Sequence, residues 1–280
     1  MTPTVRQALA QSGLIPVDAK ALLAHVLGCN RAWLAAHETD MLTKAQADAF
    51  AALCRRRRDG EPVAYLAGSR EFWGLALSVT PDVLIPRPET ETLVEFALAK
   101  LPGNRGVRVL DLGTGSGAIA LALAHDRPNA AVTATDSSDA ALSVARDNAH
   151  RLGLSNVAFA AADWYAGVPD GRWDLIVSNP PYVAAGDPHL AQGDLRFEPP
   201  HALTDGSADG LDSIRAIAAG AAAHLNSGGR LLVEHGYDQA VAVAGILAAA
   251  GFTDLVSIPD LAGIPRVAGG TLDSQSESRT

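Results

Sequence analysis

The chain has 280 residues, enough for one large or two modest domains around a sizeable core, and too many for a disulfide-stapled peptide. Apolar residues at 48% and charged ones at 19% exclude disorder and fibrous repeats. A formal charge of -9 disfavours nucleic acid as a partner.

Cys29 and Cys54 show no CxxC spacing and the eight histidines never form HxxxH, so reduced thiols and no metal are expected. The first fifteen residues lack a cationic start followed by an apolar run. Uncharged stretches such as Ala240 to Thr253 are too short to span a bilayer, so a cytoplasmic chain without membrane association is expected.

Residues 1–68 read as a small all-α domain, with apolar residues recurring at three and four. Leu22, Leu23, Val26 and Leu27 form one stripe that Gly28 stops. Asn30 caps the next helix, and Thr43 with Gln46 forms a capping box for a helix through Phe50 and Leu53. The run Arg55 to Arg58 suits a solvated helix C-terminus. Residues 69–84 carry aromatic and β-branched residues around Gly74, the pattern of a hairpin linker.

From residue 85 to 272 strands and helices alternate. Apolar runs at 107–113, 131–136, 157–163, 174–180 and 230–236 predict strands, and 117–125, 139–152 and 238–250 predict helices. This alternation implies a mainly parallel sheet covered on both faces, with ligands at the carboxyl ends of its strands. Residues 273–280 read as a mobile tail.

Gly113, Thr114, Gly115, Ser116 and Gly117 lie where the first strand of that sheet passes into a helix, and Asp136 ends the second. Glycines allow close backbone approach, the helix start offers free N–H groups, and the carboxylate suits ribose hydroxyls. The turn by itself fits S-adenosylmethionine and a nicotinamide cofactor equally. Asn179, Pro180, Pro181 and Tyr182 follow the strand at 174–178 and fall on the same rim. A planar N–H₂ group donating to the Asn179 oxygen and the Pro180 carbonyl would have its lone pair aimed out of plane, with Tyr182 stacked against it.

The glycine turn together with NPPY resembles amino methyltransferases acting on planar amide or adenine nitrogens. The order LIPRPETE (84–91), VLDLGTGSGAIALALA, SNPPY, FEPPHAL (197–203), Asp209-Gly210-Leu211 and VEHGYDQ (233–239) is similar to the bacterial peptide chain release factor N5-glutamine methyltransferases of the HemK type, over nearly the whole chain. The resemblance is weaker to the ribosomal-protein glutamine methyltransferases, because Pro88-Glu89-Thr90-Glu91 is typical of the release factor branch. It implies an α/β, Rossmann-like class I methyltransferase domain with a mainly parallel seven-stranded sheet behind the helical domain. It further implies methyl transfer from S-adenosylmethionine to the glutamine of the Gly-Gly-Gln motif in class 1 release factors, leaving S-adenosylhomocysteine. Cofactor contacts are then expected at Gly113 to Gly117, Asp136, Trp164 and Asn179, and the substrate glutamine at Asn179 to Tyr182. The helical domain is expected to grip the protein substrate, and the enzyme to be monomeric. An adenine-N6 methyltransferase, a nicotinamide oxidoreductase and a catalytically idle cofactor-binding adaptor are the alternatives.

Overall fold

The computed structural model describes residues 2–102 and 106–272, and the expected tail at 273–280 lies outside them. The chain divides into two compact units. One holds the residues up to Arg70 together with Ala191–Phe197, and the other holds Glu71–Leu190 and the residues from Glu198 onward.

In the first unit, helices α1 (Val5–Gln11), α2 (Pro16–Leu27), α3 (Arg31–Ala36), α4 (Lys44–Arg58) and α5 (Val63–Ala67) bury Val5, Leu22, Leu23, Leu34, Phe50 and Leu66 in a common core. Local chemistry sets their ends. Thr43 and Gln46 close a reciprocal capping box on α4, the Asn30 side chain accepts from Trp33 N at 2.8 Å, and Gly28 ends α2 in the left-handed region. The arginine run is only partly the solvated end expected. Arg57 is mostly covered, and it donates at 2.7 Å to both Asp18 and Asp194, pinning Ala191–Phe197 onto α4.

Strands β1 (Ser69–Phe72) and β2 (Leu75–Ser78) pair across Trp73 and Gly74, which both take positive φ, as a tight hairpin turn requires. The second unit continues with α6 (Glu91–Lys100), β3 (Arg108–Leu112), α7 (Ala118–Asp126), β4 (Ala131–Asp136), α8 (Asp139–Leu152), β5 (Val157–Ala161), β6 (Trp173–Ser178), α9 (Asp212–His224), β7 (Leu225–Glu234), α10 (Ala240–Ala249), β8 (Phe252–Pro259) and β9 (Pro265–Leu272). The sheet order is β5-β4-β3-β6-β7-β9-β8. All pairs are parallel except β7 with β9 and β9 with β8, so the expected mainly parallel seven-stranded sheet is present.

Helix α7 is apolar all round and buried along Ala118–Ala124, as a helix enclosed by its own domain must be. Strand β7 starts at Leu225, five residues before the apolar run, because Leu225 pairs with Trp173 across an irregular register shift.

Parallel register aligns Thr135 with Leu112, Leu112 with Ser178, and Ser178 with Val233. The residues one step beyond this row are Asp136, Gly113, Asn179 and Glu234, so four strands deliver them side by side on one rim. Asn148, wholly buried on α8, braces that rim. It donates to Ser78 O at 3.0 Å and Ser116 O at 2.9 Å, and accepts from Ser78 N at 2.7 Å and Arg151 at 2.8 Å. Asn148→Ala leaves one buried and two partly buried backbone groups unpaired and is expected to lower stability by roughly 3 kcal/mol in a urea titration.

Candidate functional site

Gly113, Gly115 and Gly117 all adopt positive φ, which side chains rarely tolerate. A side-chain carbon at Gly117 would stand 2.9 Å from Leu121 Cδ1, so glycine there also permits α7 to start close against its own first turns. Thr114 N donates to Thr135 O at 2.8 Å and Gly117 N to Thr114 O at 2.8 Å, which folds the turn back over the ends of β3 and β4. Asp136 accepts from Gly115 N through Oδ2 and from Ser138 N through Oδ1, both at 2.9 Å, and each oxygen retains acceptor capacity.

Asp111 lies wholly buried under this turn. Its Oδ2 accepts from the Thr114 hydroxyl at 2.7 Å, while Oδ1 has no partner among the described residues. Burial pushes its carboxyl up to about 7, against the opposing pull of the Thr114 hydroxyl.

Strand β6 ends at Ser178, so Asn179 opens the loop, where two prolines prevent further pairing. Asn179 Nδ2 donates to Thr90 Oγ1 at 3.1 Å, and its Oδ1 makes no hydrogen bond within the described residues. Tyr182 donates its hydroxyl to Glu234 Oε1 at 3.1 Å, and its carbonyl accepts from Gln239 at 3.0 Å. Burial, then the Glu234 charge, hold the Tyr182 phenol protonated far above neutrality.

A cleft of about 940 Å³, counted to its open mouth, brings most of the predicted residues together. Gly113, Thr114, Gly115, Ser116, Asp136, Trp164, Asn179 and Pro181 line it. Gly117, Pro180 and Tyr182 do not: Gly117 caps α7, Pro180 is buried, and Tyr182 is tied to Glu234. Trp164 is held at φ 48° by the Asp163–Ala166 bridge, and its indole lies beside Gly113, 3.8 Å from where a side-chain carbon would stand. A left-handed backbone is costly for tryptophan, and here it sets the indole on the cleft wall.

Thr90, Arg87 and His201 also line the cleft, although residue reading alone assigned them no role. Arg87 pairs with the buried Glu198, whose other oxygen accepts from Ile85 N at 3.0 Å, so LIPRPETE and FEPPHAL are fastened together. The signal for that pair is an opposite charge in each of two proline-rich segments, Arg87 in LIPRPETE and Glu198 in FEPPHAL.

Glycines for close approach, a carboxylate for hydroxyls and an indole for stacking suit a nucleoside with a charged tail. Among the described residues no group of three or more His, Cys, Asp or Glu is placed to hold a metal. No helix there is long and apolar enough to cross a membrane.

Because the Asp111 pKa is raised in the folded chain, its contribution to stability is complete at low pH and is lost as pH rises toward and through 7. Relative to the wild type, Asp111→Asn is expected to gain on the order of 2 kcal/mol between pH 5 and pH 8 in paired denaturant titrations. A gap independent of pH would contradict the buried acid.

Residues 4–68 match the family described as PrmC N-terminal domain, and residues 90–194 match the Methyltransferase small domain. The release factor glutamine methyltransferase of Bordetella pertussis is 55% identical over 96% of this chain and 99% of its own. That of Xylella fastidiosa is 54% identical over 89% of this chain and 90% of its own. For the fold alone, a T. thermophilus 16S rRNA N2 methyltransferase, solved in complex with AdoMet and guanosine, has a TM-score of 0.55 at 21% identity, covering 72% of this chain and 49% of that one. The identity and coverage place this chain in the release factor glutamine methyltransferase family.

Proposed function

We propose that this protein methylates N5 of the glutamine in the Gly-Gly-Gln motif of class 1 peptide chain release factors, as a cytoplasmic monomer without a metal. The observation that carries the reading is Asn179, which stands on the cleft rim beside the glycine turn with its nitrogen tied to Thr90 and its oxygen left to accept. S-adenosylmethionine, when bound, supplies the methyl group.

The chain's own residues bind and orient. The glycine turn, Asp136 and Trp164 form the wall that suits the cofactor's nucleoside and tail. Asn179 Oδ1 accepts one hydrogen of the substrate carboxamide, which fixes that plane and turns the nitrogen lone pair toward the methyl donor. Positioning of this kind supplies on the order of 7–11 kcal/mol, whereas each neutral hydrogen bond nets about 1 kcal/mol, so geometry outweighs the bond itself.

The exposed apolar side chains of Ile15, Val17, Trp33 and Met41 support a protein-gripping role for the helical unit. The net charge of -9 supports a protein substrate over DNA.

Incubation with labelled S-adenosylmethionine is expected to mark purified release factor, but neither DNA nor a release factor whose Gly-Gly-Gln glutamine is replaced. Asn179→Ala should slow single-turnover methylation about a hundredfold or more while cofactor affinity falls far less. Asp136→Ala should show the reverse pattern by calorimetry. The double variant Ile15→Asp, Val17→Asp should raise KM for intact release factor about tenfold with kcat unchanged, and an unchanged KM would remove those side chains from the docking surface.

A further inference from the structure

Asp209-Gly210-Leu211 and VEHGYDQ lie outside the cleft lining, yet one side chain, Gln239, ties both to the loop that carries Asn179. Gln239 Nε2 donates to Tyr182 O at 3.0 Å and to Asp209 O at 2.9 Å, while its Oε1 accepts from Gly236 N at 2.7 Å. A backbone N–H only donates and a backbone carbonyl only accepts, so these three partners admit a single orientation of the amide.

Two glycines leave room for this arrangement. At Gly236 a side-chain carbon would stand 2.9 Å from Gln239 Oε1. At Gly210, whose φ is 68°, one would stand 2.2 Å from Tyr182 O. The Asp209-Gly210-Leu211 turn therefore passes directly against the Tyr182 backbone, and Gln239 spans the two carbonyls.

The asparagine loop needs a hold of this kind from outside. Pro180 and Pro181 have fixed φ and no N–H, so the backbone between Asn179 and Tyr182 cannot bond to itself and its course follows from where its ends are held. The sheet fixes the near end, where the Ser178 hydroxyl donates to Leu112 O at 2.7 Å. At the far end Val183 N donates to Leu203 O at 2.9 Å and the Tyr182 carbonyl accepts from Gln239. Both polar atoms of the Tyr182–Val183 peptide unit are thus engaged, which sets its plane.

We propose that Gln239 is a positioning residue for methyl transfer: by holding the Tyr182 carbonyl against the Asp209-Gly210-Leu211 turn, it fixes the far end of the NPPY loop and with it the place of Asn179 and Pro181 on the cleft wall. The inference rests on the proposed function for its catalytic consequence, whereas the hold on the loop belongs to the protein alone.

The test uses the full-length protein as wild type, Gln239→Met, Gln239→Glu, Asn179→Ala and the double variant Asn179→Ala, Gln239→Met. Methionine keeps the reach of the side chain and loses all three bonds. Glutamate keeps the acceptor for Gly236 N and loses the donation to Tyr182 O and Asp209 O, so it separates a hold on the loop from a local brace at the start of α10. Single-turnover methylation of release factor at saturating cofactor should slow about tenfold in both Gln239 variants, with cofactor affinity by calorimetry and the half-saturating concentration of release factor within about threefold of wild type. On the Asn179→Ala background, Gln239→Met should cost less than about threefold, because its effect runs through Asn179. Exchange of the Val183 backbone amide, followed by NMR on the protein without substrate, should quicken about tenfold in both Gln239 variants. Either variant alone suffices for the rate and exchange measurements. A Gln239→Glu enzyme at the wild-type rate overturns the positioning role, as does a loss of undiminished size on the Asn179→Ala background. Unchanged Val183 exchange overturns the hold on the loop. If the wild type fails to methylate release factor, the proposed function falls, while faster Val183 exchange in the variants still supports the hold.

Discussion

The register of four parallel strands is the constraint on which the rest depends. Thr135, Leu112, Ser178 and Val233 form one row across β4, β3, β6 and β7, and the Ser178 hydroxyl donates to Leu112 O at 2.7 Å at the boundary where the chain reverses its direction of winding. The Asp136 carboxylate, the glycine turn, the Asn179 carboxamide and the buried Glu234 follow that row by one residue each. Side chains alternate between faces along a strand, so a one-residue slip of β6 would send Asn179 to the wrong side and separate it from the turn. Packing of Leu110, Ile176 and Leu231 in one layer and Val109, Leu175 and Leu232 in the other makes such a slip costly.

Two carboxyl groups are buried within this arrangement, Asp111 under the glycine turn and Glu234 under the asparagine loop, and each retains one oxygen without a partner. Neither is a stabilising choice. A fold selected only for stability would place apolar side chains there, since burial opposes the ionised form of both. Asn148 illustrates the opposite case: four satisfied bonds at a wholly buried site, serving rigidity alone.

Local chemistry was legible in the sequence wherever the deciding atoms lie within a few residues. Asn30, Thr43 with Gln46, and Gly28 announce helix ends through bonds spanning three or four positions, and the glycine turn and NPPY announce a rim through strand termination. Long-range pairing was not legible. Arg57 meets Asp194 across 137 positions, and nothing near either residue signals the other. The Tyr182 hydroxyl is committed to Glu234, and the charge at the end of the apolar run LLV is the one visible hint of that pair. Strand β9 carries no clear apolar run because it contains Gly269 and Gly270, residues that weaken a strand pattern. The structure gives the reason for them: a side-chain carbon at Gly269 would stand 2.4 Å from Leu232 Cδ2, and one at Gly270 2.8 Å from Phe252 Cβ.

The place of β9 has an effect on how the molecule is made. It lies between β7 and β8 although it is the last of the three to be synthesised. During vectorial translation β7 therefore presents a bare row of amides and carbonyls, and β8 has no sheet to join, until Pro265–Leu272 inserts between them. The nascent chain carries its functional rim on an unfinished edge over that interval, when it is most open to mispairing and most in need of shelter.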